Sequence, residues 1–217
     1  NYIEDVVVDW TLSGGIGVLS QSSGVSTVLT ATTVGAGQIT ADHASLLDDA
    51  TGIITVNAGT LAYVKIVEGP SGDGAELDAK NLTADQTLTL HAAGYDASDN
   101  YLGDQTVTWG ATGSLAPAPS FSGTTFTFSP TTAPANGTIT AIHASVPGDE
   151  TGTISVGVGA EHHVLVLQGG NGETAEVSAT ALSTGATLTV HAASFDADQN
   201  YVQDVSVNWI LSNNIGA

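Results

Sequence analysis

Apolar and polar residues alternate along this chain in short runs, separated by clusters of Gly, Pro, Asn, Asp and Ser. The clearest stretch is 87–109, TLTLHAAGYDASDNYLGDQTVTW: an alternating run, an elbow rich in Asp and Asn, a second run and a Trp. A period of two with β-branched residues on both sides of a polar elbow predicts two strands joined by a turn. Alternation puts Leu88, Leu90 and Ala92 on one face, with Thr89 and His91 on the other; Val107 and Trp109 share a face. The same pattern predicts strands near 62–68, 75–79, 86–95, 104–111, 121–128, 137–145 and 152–158, and no helical period of useful length. Two such faces packed about 10 Å apart make a sandwich core. Trp109 is its natural plug.

The chain also repeats itself at an offset of 99 to 100. TLTVHAASFDADQNYVQDVSVNW at 187–209 restates 87–109, and NYIEDVVVDW at 1–10 restates its second half. GQITADHAS at 37–45 matches GTITAIHAS at 137–145, and TGIITV at 51–56 matches TGTISV at 151–156. A period of this length is the size of one β-sandwich, far too long for a solenoid. The expected fold is therefore all-β: tandem immunoglobulin-like β-sandwiches with about seven strands per unit of ~100 residues. Three segments follow. Residues 1–59 are the C-terminal part of a repeat without its first two strands, 60–159 a complete repeat, and 160–217 the N-terminal part of the next. Asn1 stands inside a repeat, which marks the chain as a piece of a longer one.

Composition narrows the partners. There are 22 acidic residues against 2 basic ones, for a formal net charge of −20. A basic footprint for phosphates is absent, which argues against nucleic acid and anionic lipid. No apolar run is long enough for membrane insertion. Cys and Met are both absent, which removes disulfides, thiol nucleophiles and Cys-ligated zinc.

The motif YDASDNYLGDQTVTW, the run GTITAIHAS and the closing TGTISV resemble the bacterial immunoglobulin-like (Big-domain) repeats of large prokaryotic surface or secreted proteins, of the invasin/intimin type. The resemblance covers essentially the whole chain. It implies a β-sandwich repeat outside the cell or on its surface. One position departs from the usual pattern: Asp99 and Gln199 stand where the elbow carries Gly, so a positive φ is not assured there.

Candidate chemistry is sparse. Asp196, Asp198 and Asn200 place side-chain oxygens at positions 1, 3 and 5 of a calcium-loop pattern, and the sister elbow offers Asp96, Ser98, Asp99 and Asn100. Calcium is thus the one candidate cofactor, with Asp96, Asp99, Asn100, Asp196, Asp198 and Asn200 as its ligand set. Tyr201 replaces the loop's Gly and Val207 its final Glu, and Asp and Asn equally build turns through local bonds, the reading that weighs more. His91 and His143 have no third zinc ligand at a recognisable spacing. His162 and His163, being adjacent, are expected on opposite faces of a strand. His143, Ser145 and Asp149 form a triad only on paper, because no nucleophile elbow accompanies them. Lys65 and Lys80 have no counterpart in the next repeat, which argues against a Lys–Asn crosslink, and Asn81 and Asn136 fit the glycosylation acceptor pattern.

Repetition without a repeated reactive constellation points to a non-catalytic, structural segment of an extracellular stalk, surface adhesin or filament. The alternative is a module binding a glycan or a host protein, or one rigidified by calcium. The expected partners are neighbouring repeats or copies of the chain itself, joined head-to-tail. The two incomplete ends are completed either by flanking repeats in the same chain, the preferred reading, or by another copy.

Overall fold

A computed structural model describes residues 3–72, 74–172 and 175–212. Within them the chain is all β, built of tandem immunoglobulin-like β-sandwich repeats, with one short 3-10 turn at Pro70–Gly72. The first stretch carries β1 (Val8–Leu12), β2 (Gly17–Leu19), β3 (Ser23–Gly24), β4 (Leu29–Ala31), β5 (Gly35–Gly37), β6 (Ile39–Asp42), β7 (Asp49–Ala50) and β8 (Ile54–Val56). The middle carries β9 (Tyr63–Val67), β10 (Lys80–Thr83), β11 (Leu88–Tyr95), β12 (Tyr101–Asp104), β13 (Val107–Ala111), β14 (Phe121–Gly123), β15 (Thr125–Phe128), β16 (Ala135–Gly137), β17 (Ile139–Ile142), β18 (Asp149–Glu150) and β19 (Ile154–Gly157). The last stretch carries β20 (His163–Leu167), β21 (His191–Phe195) and β22 (Tyr201–Asp204).

The middle sandwich is organised on β11. Its residues 93–95 pair with both β9 and β12, so those strands flank it on opposite sides, and its residues 88–91 pair with β15. The facing layer is the sheet β14-β13-β17-β18. A third group, β10-β19-β16, adds Leu82, Ala135, Ile154 and Val156 to the same core, with β10 and β19 running parallel. Leu88, Leu90 and Ala92 are buried and Thr89 is exposed, as the alternation requires. Their buried face meets Val107, Trp109, Ile139, Ala141 and Ile154 in one core. Trp109 is 1% exposed, donates its indole N–H to Gly123 O at 3.1 Å, and packs its ring 5.9 Å from Phe126.

Several runs that look continuous in sequence are cut in the structure. The run 104–111 shortens to β13 in the Trp109 sheet, and its first residue, Asp104, ends β12, which stays in the β11 sheet. The run 121–128 likewise divides into β14 and β15, and 137–145 ends at Ile142 after β16 has handed over to β17. Each cut is a corner where the chain changes sheets, a bend that alternation alone does not reveal. The edge strand expected at 75–79 reduces to one bridge, Val67 to Glu76, and the strand forms at Lys80–Thr83 instead.

The flanking stretches repeat parts of this plan in the same register. Trp10 pairs with Ala41 as Trp109 pairs with Ala141, and the Trp10 indole N–H reaches Gly24 O at 3.0 Å. β20-β21-β22 reproduces β9-β11-β12, with the same register shift at the end of its central strand.

Candidate functional site

Two elbows, 96–100 and 196–200, are the most elaborate polar constructions in the described chain. At the first, the Asp96 N–H donates to Asn100 O at 3.0 Å and the Asp99 N–H to Asp96 O at 3.2 Å, which closes the turn. Asp96 Oδ1 accepts the Ser98 and Asn100 N–H groups at 2.9 and 3.0 Å. The Asn100 amide nitrogen donates to both Asp96 oxygens, at 3.1 and 3.0 Å. Short Asp and Asn side chains bonded to nearby backbone in this way are the ordinary chemistry of turns.

The second elbow repeats these bonds. Asp196 Oδ1 accepts Asp198 N–H at 3.0 Å and Asn200 N–H at 2.8 Å, and Asn200 Nδ2 donates to both carboxylate oxygens. Residues 99 and 199 adopt φ of 64° and 69°. The positive φ that these residue types do not assure is adopted at both positions. The closed turn holds Asp99 and Gln199 in the left-handed region, although neither is Gly, and Asp tolerates that region better than Gln.

What the elbows grip lies outside their own sandwich. Asp96 Oδ2 accepts the Gly59 N–H at 2.7 Å, in the linker after β8. Asn100 Nδ2 donates to Thr32 O at 3.0 Å, and Asn100 Oδ1 accepts the Val34 N–H at 3.2 Å. One amide thus pairs with the backbone as a strand neighbour would, donor and acceptor side by side. At the second junction Asp196 Oδ2 accepts the Gly159 N–H at 2.9 Å. Asn200 Nδ2 donates to Thr131 O at 3.2 Å, and its Oδ1 accepts the Ala133 N–H at 2.8 Å. Both carboxylates lie 37 residues after the glycine they hold. The second linker has an extra tie, the Ala160 N–H donating to Asp85 at 2.5 Å.

Burial and electrostatics agree with this geometry. Asp96 and Asp196 are only 4% and 0% exposed. The Gly59 N–H, then the Asn100 amide and the Asn100 and Ser98 N–H groups, hold the Asp96 carboxyl at about 2, below its ordinary 3.8. At Asp196 burial pushes the carboxyl up, but the bonds from Gly159, Asn200 and Asp198 outweigh it and the net shift is downward. The linker glycines lie in close quarters, Gly59 against its elbow and Gly159 against Asp85. A Cβ on Gly59 would stand 3.2 Å from Asp96 Oδ2, and one on Gly159 would stand 2.5 Å from Asp85 Oδ1.

The six residues considered for calcium are thus placed as follows. Asp96 and Asp196 point into the turn and accept N–H donors, and Asn100 and Asn200 reach across the junction. Asp99 is exposed and accepts the Tyr63 hydroxyl, and Asp198 is exposed at the tip. Among the described residues no group of three or more His, Asp or Glu side chains converges as a metal site would require. A cation at either elbow would have to displace the N–H donors that shape it.

The histidines are engaged locally. His91 Nδ1 meets Asp104 Oδ2 at 2.9 Å. His143 Nδ1 accepts the backbone N–H groups of Ser145 and Val146, both at 3.3 Å, while Asp149 takes the Ile66 N–H at 2.6 Å. In the paper triad, His143 Nδ1 is thus taken up by backbone N–H groups and Asp149 is bonded to β9. His162 and His163 do not point apart: β20 begins only at His163, and their Nδ1 atoms approach to 3.4 Å. Lys65 pairs with Glu76 at 3.3 Å and lies over the Tyr63 and Tyr95 rings, and Lys80 pairs with Glu68 at 2.9 Å.

Sequence reasoning singled out the elbow acids but missed their partners. The visible signal was the constant spacing from Gly59 to Asp96 and from Gly159 to Asp196. No protein-family model matches the chain, and no curated protein matches it. Among solved structures it is similar to the FN1-FN3 domains of chicken CNTN1 at 8% identity. That alignment covers 94% of this chain and 93% of the other, with a TM-score of 0.34. A likeness so distant adds nothing to the argument, and the fold assignment rests on the strand pairing and burial described above. No helix in the described residues is long and apolar enough to cross a membrane.

Proposed function

We propose that this chain is a non-catalytic structural segment, a series of β-sandwich repeats held in a fixed relative orientation. Its units run from a linker glycine to the next, with 60–159 as one complete repeat. The observation that carries this reading is the recurrence of one clamp at both junctions, with the same donors, the same acceptors and the same Gly-to-Asp spacing. A carboxylate and an amide that tie the linker and a neighbouring strand turn remove hinge freedom, and a short linker leaves little slack. Such a series suits an extended stalk, surface adhesin or filament. The resemblance to bacterial surface repeats supports an extracellular setting. So does a chain with no Arg and 2 basic residues, which offers little to a trypsin-like protease.

Single-molecule fluorescence transfer tests this, with dyes on cysteines introduced into the first and last stretches of a chain that has no Cys of its own. At such dilution only the single chain is read. A narrow distance distribution that broadens in the Asp96→Ala, Asp196→Ala double variant is the expected result. Equal widths in the parent and the double variant would sink the proposal.

A further inference from the structure

The corner that leads into β20 carries two histidines that the matching corner of the middle sandwich does without. The His162 N–H donates to Phe195 O at 2.8 Å, and one repeat earlier the Ala62 N–H makes the same bond to Tyr95 O at 2.8 Å. The backbone of this corner is thus the same with or without histidines on it. At 162 and 163 the two rings turn toward each other: their Nδ1 atoms lie 3.4 Å apart and their planes cross at 81°. β20 begins only at His163, so residue 162 escapes the alternation that sends neighbouring side chains to opposite faces.

We propose that His162 and His163 form an open binding site for zinc, with both Nδ1 atoms as ligands. The spacing carries the inference. Two nitrogens at ordinary zinc–nitrogen distances around a tetrahedral ion stand about 3.3–3.4 Å apart. The pair already holds 3.4 Å, which is long for a hydrogen bond from one ring to the other. One of the two ligands is fixed beforehand. The His163 ring is half-buried and stacks on Phe195, with centroids 5.8 Å apart and planes at 18°, as Tyr63 stacks on Tyr95. His162 is exposed and free to adjust to the ion.

The site lies on the outer face of its sheet. β9 sends Val64 and Ile66 into the core and leaves Tyr63 outside, and His163 holds the place of Tyr63 in the same register. Whatever covers the inner face of β20 therefore leaves the pair in solvent. Glu161 does not close the site, because its Oε1 accepts the Ser194 hydroxyl at 3.0 Å and the Gln203 amide at 2.6 Å. Two protein ligands are fewer than a closed zinc site has, so water fills the remaining positions and the ion exchanges readily. Imidazole nitrogen selects zinc, copper and nickel over the hard cations calcium and magnesium. The net charge of −20 raises the local concentration of any cation. This site is independent of the junction clamp and of the structural role proposed above.

NMR of the six histidine rings in the 217-residue chain, titrated with zinc chloride at mildly alkaline pH, is the test. The ring signals of His162 and His163 should move first and together, ahead of His43, His91, His143 and His191. Two variants borrow the residues of the middle sandwich, so the corner keeps its fold: His162→Ala, and His163→Tyr, which also keeps the stacking on Phe195. His162→Ala should abolish the early movement of His163, and His163→Tyr that of His162. Calcium chloride at the same concentrations should move neither, because a hard cation takes oxygen ligands. Six histidines responding in parallel would mean an adventitious ion only and would overturn the proposal. So would an early movement of His163 that survives in His162→Ala, since the second nitrogen would then be no ligand.

Discussion

Asn100 and Asn200 do at each junction what a strand edge does with a whole row of peptides: one side chain offers a donor and an acceptor to backbone groups of the preceding sandwich. Asn100→Ala removes both bonds and leaves the Thr32 carbonyl and the Val34 N–H to water. A net loss of about 1–3 kcal/mol in junction stability is expected, read as a larger open population in the fluorescence-transfer distribution. The carboxylate beside it gives a pH prediction. Its folded value, about 2, lies below the ordinary 3.8, so its stabilisation is complete above 3.8 and is lost as pH falls through about 2. The Gly59 amide proton, followed by NMR, should therefore keep the shift of a carboxylate-bonded N–H well into acid and lose it with a midpoint near 2. A midpoint at 3.8 would mean that the N–H bonds do not hold this carboxylate.

Strands in this chain are defined by what they pair with as much as by their own residues. The runs 88–95 and 188–195 are close copies, yet β11 starts at Leu88 and β21 only at His191. The difference is β15, which pairs with residues 88–91 and has no counterpart among the described residues of the last stretch. Trp109 sits where the layers meet, against β14 and β17 in its own sheet and the buried face of β11 across the core. Trp109→Ala leaves a cavity that a close-packed sandwich cannot collapse into and strands the Gly123 carbonyl. It should cost roughly 3–5 kcal/mol in urea denaturation. Trp10 holds the same register but is only half-buried, so Trp10→Ala should cost visibly less.

At the scale of the whole molecule the question is what aligns the sandwiches. In calcium-bridged repeats the ion does so, and its removal loosens the series. Here N–H donors already occupy the oxygens of Asp96 and Asp196. Melting in EDTA and in millimolar calcium should therefore give the same midpoint. A site held at a hundredfold excess over its Kd would add about 2.7 kcal/mol, a shift of several degrees that calorimetry would register. A clear upward shift would return the elbow acids to the role of ligands. The surface charge of −20 adds a solvated, mutually repelling exterior along the chain, which favours solubility over lateral clumping.

The sequence by itself determined the repeat length, the all-β class, the buried face of Leu88, Leu90 and Ala92, and the place of Trp109. Each of these is written in side chains, as period-two alternation or as recurrence of unusual residues at a constant offset. Only the tertiary structure decided where the alternating runs break and what the elbows hold. A corner between sheets leaves both halves of a run alternating, so 121–128 reads as one strand although it belongs to two sheets. The partners of Asp96 and Asn100 are backbone N–H and C=O groups, which every residue has and no side-chain pattern marks. Thr32 and Val34 come within reach only because folding brings a turn 68 and 66 residues away against the elbow.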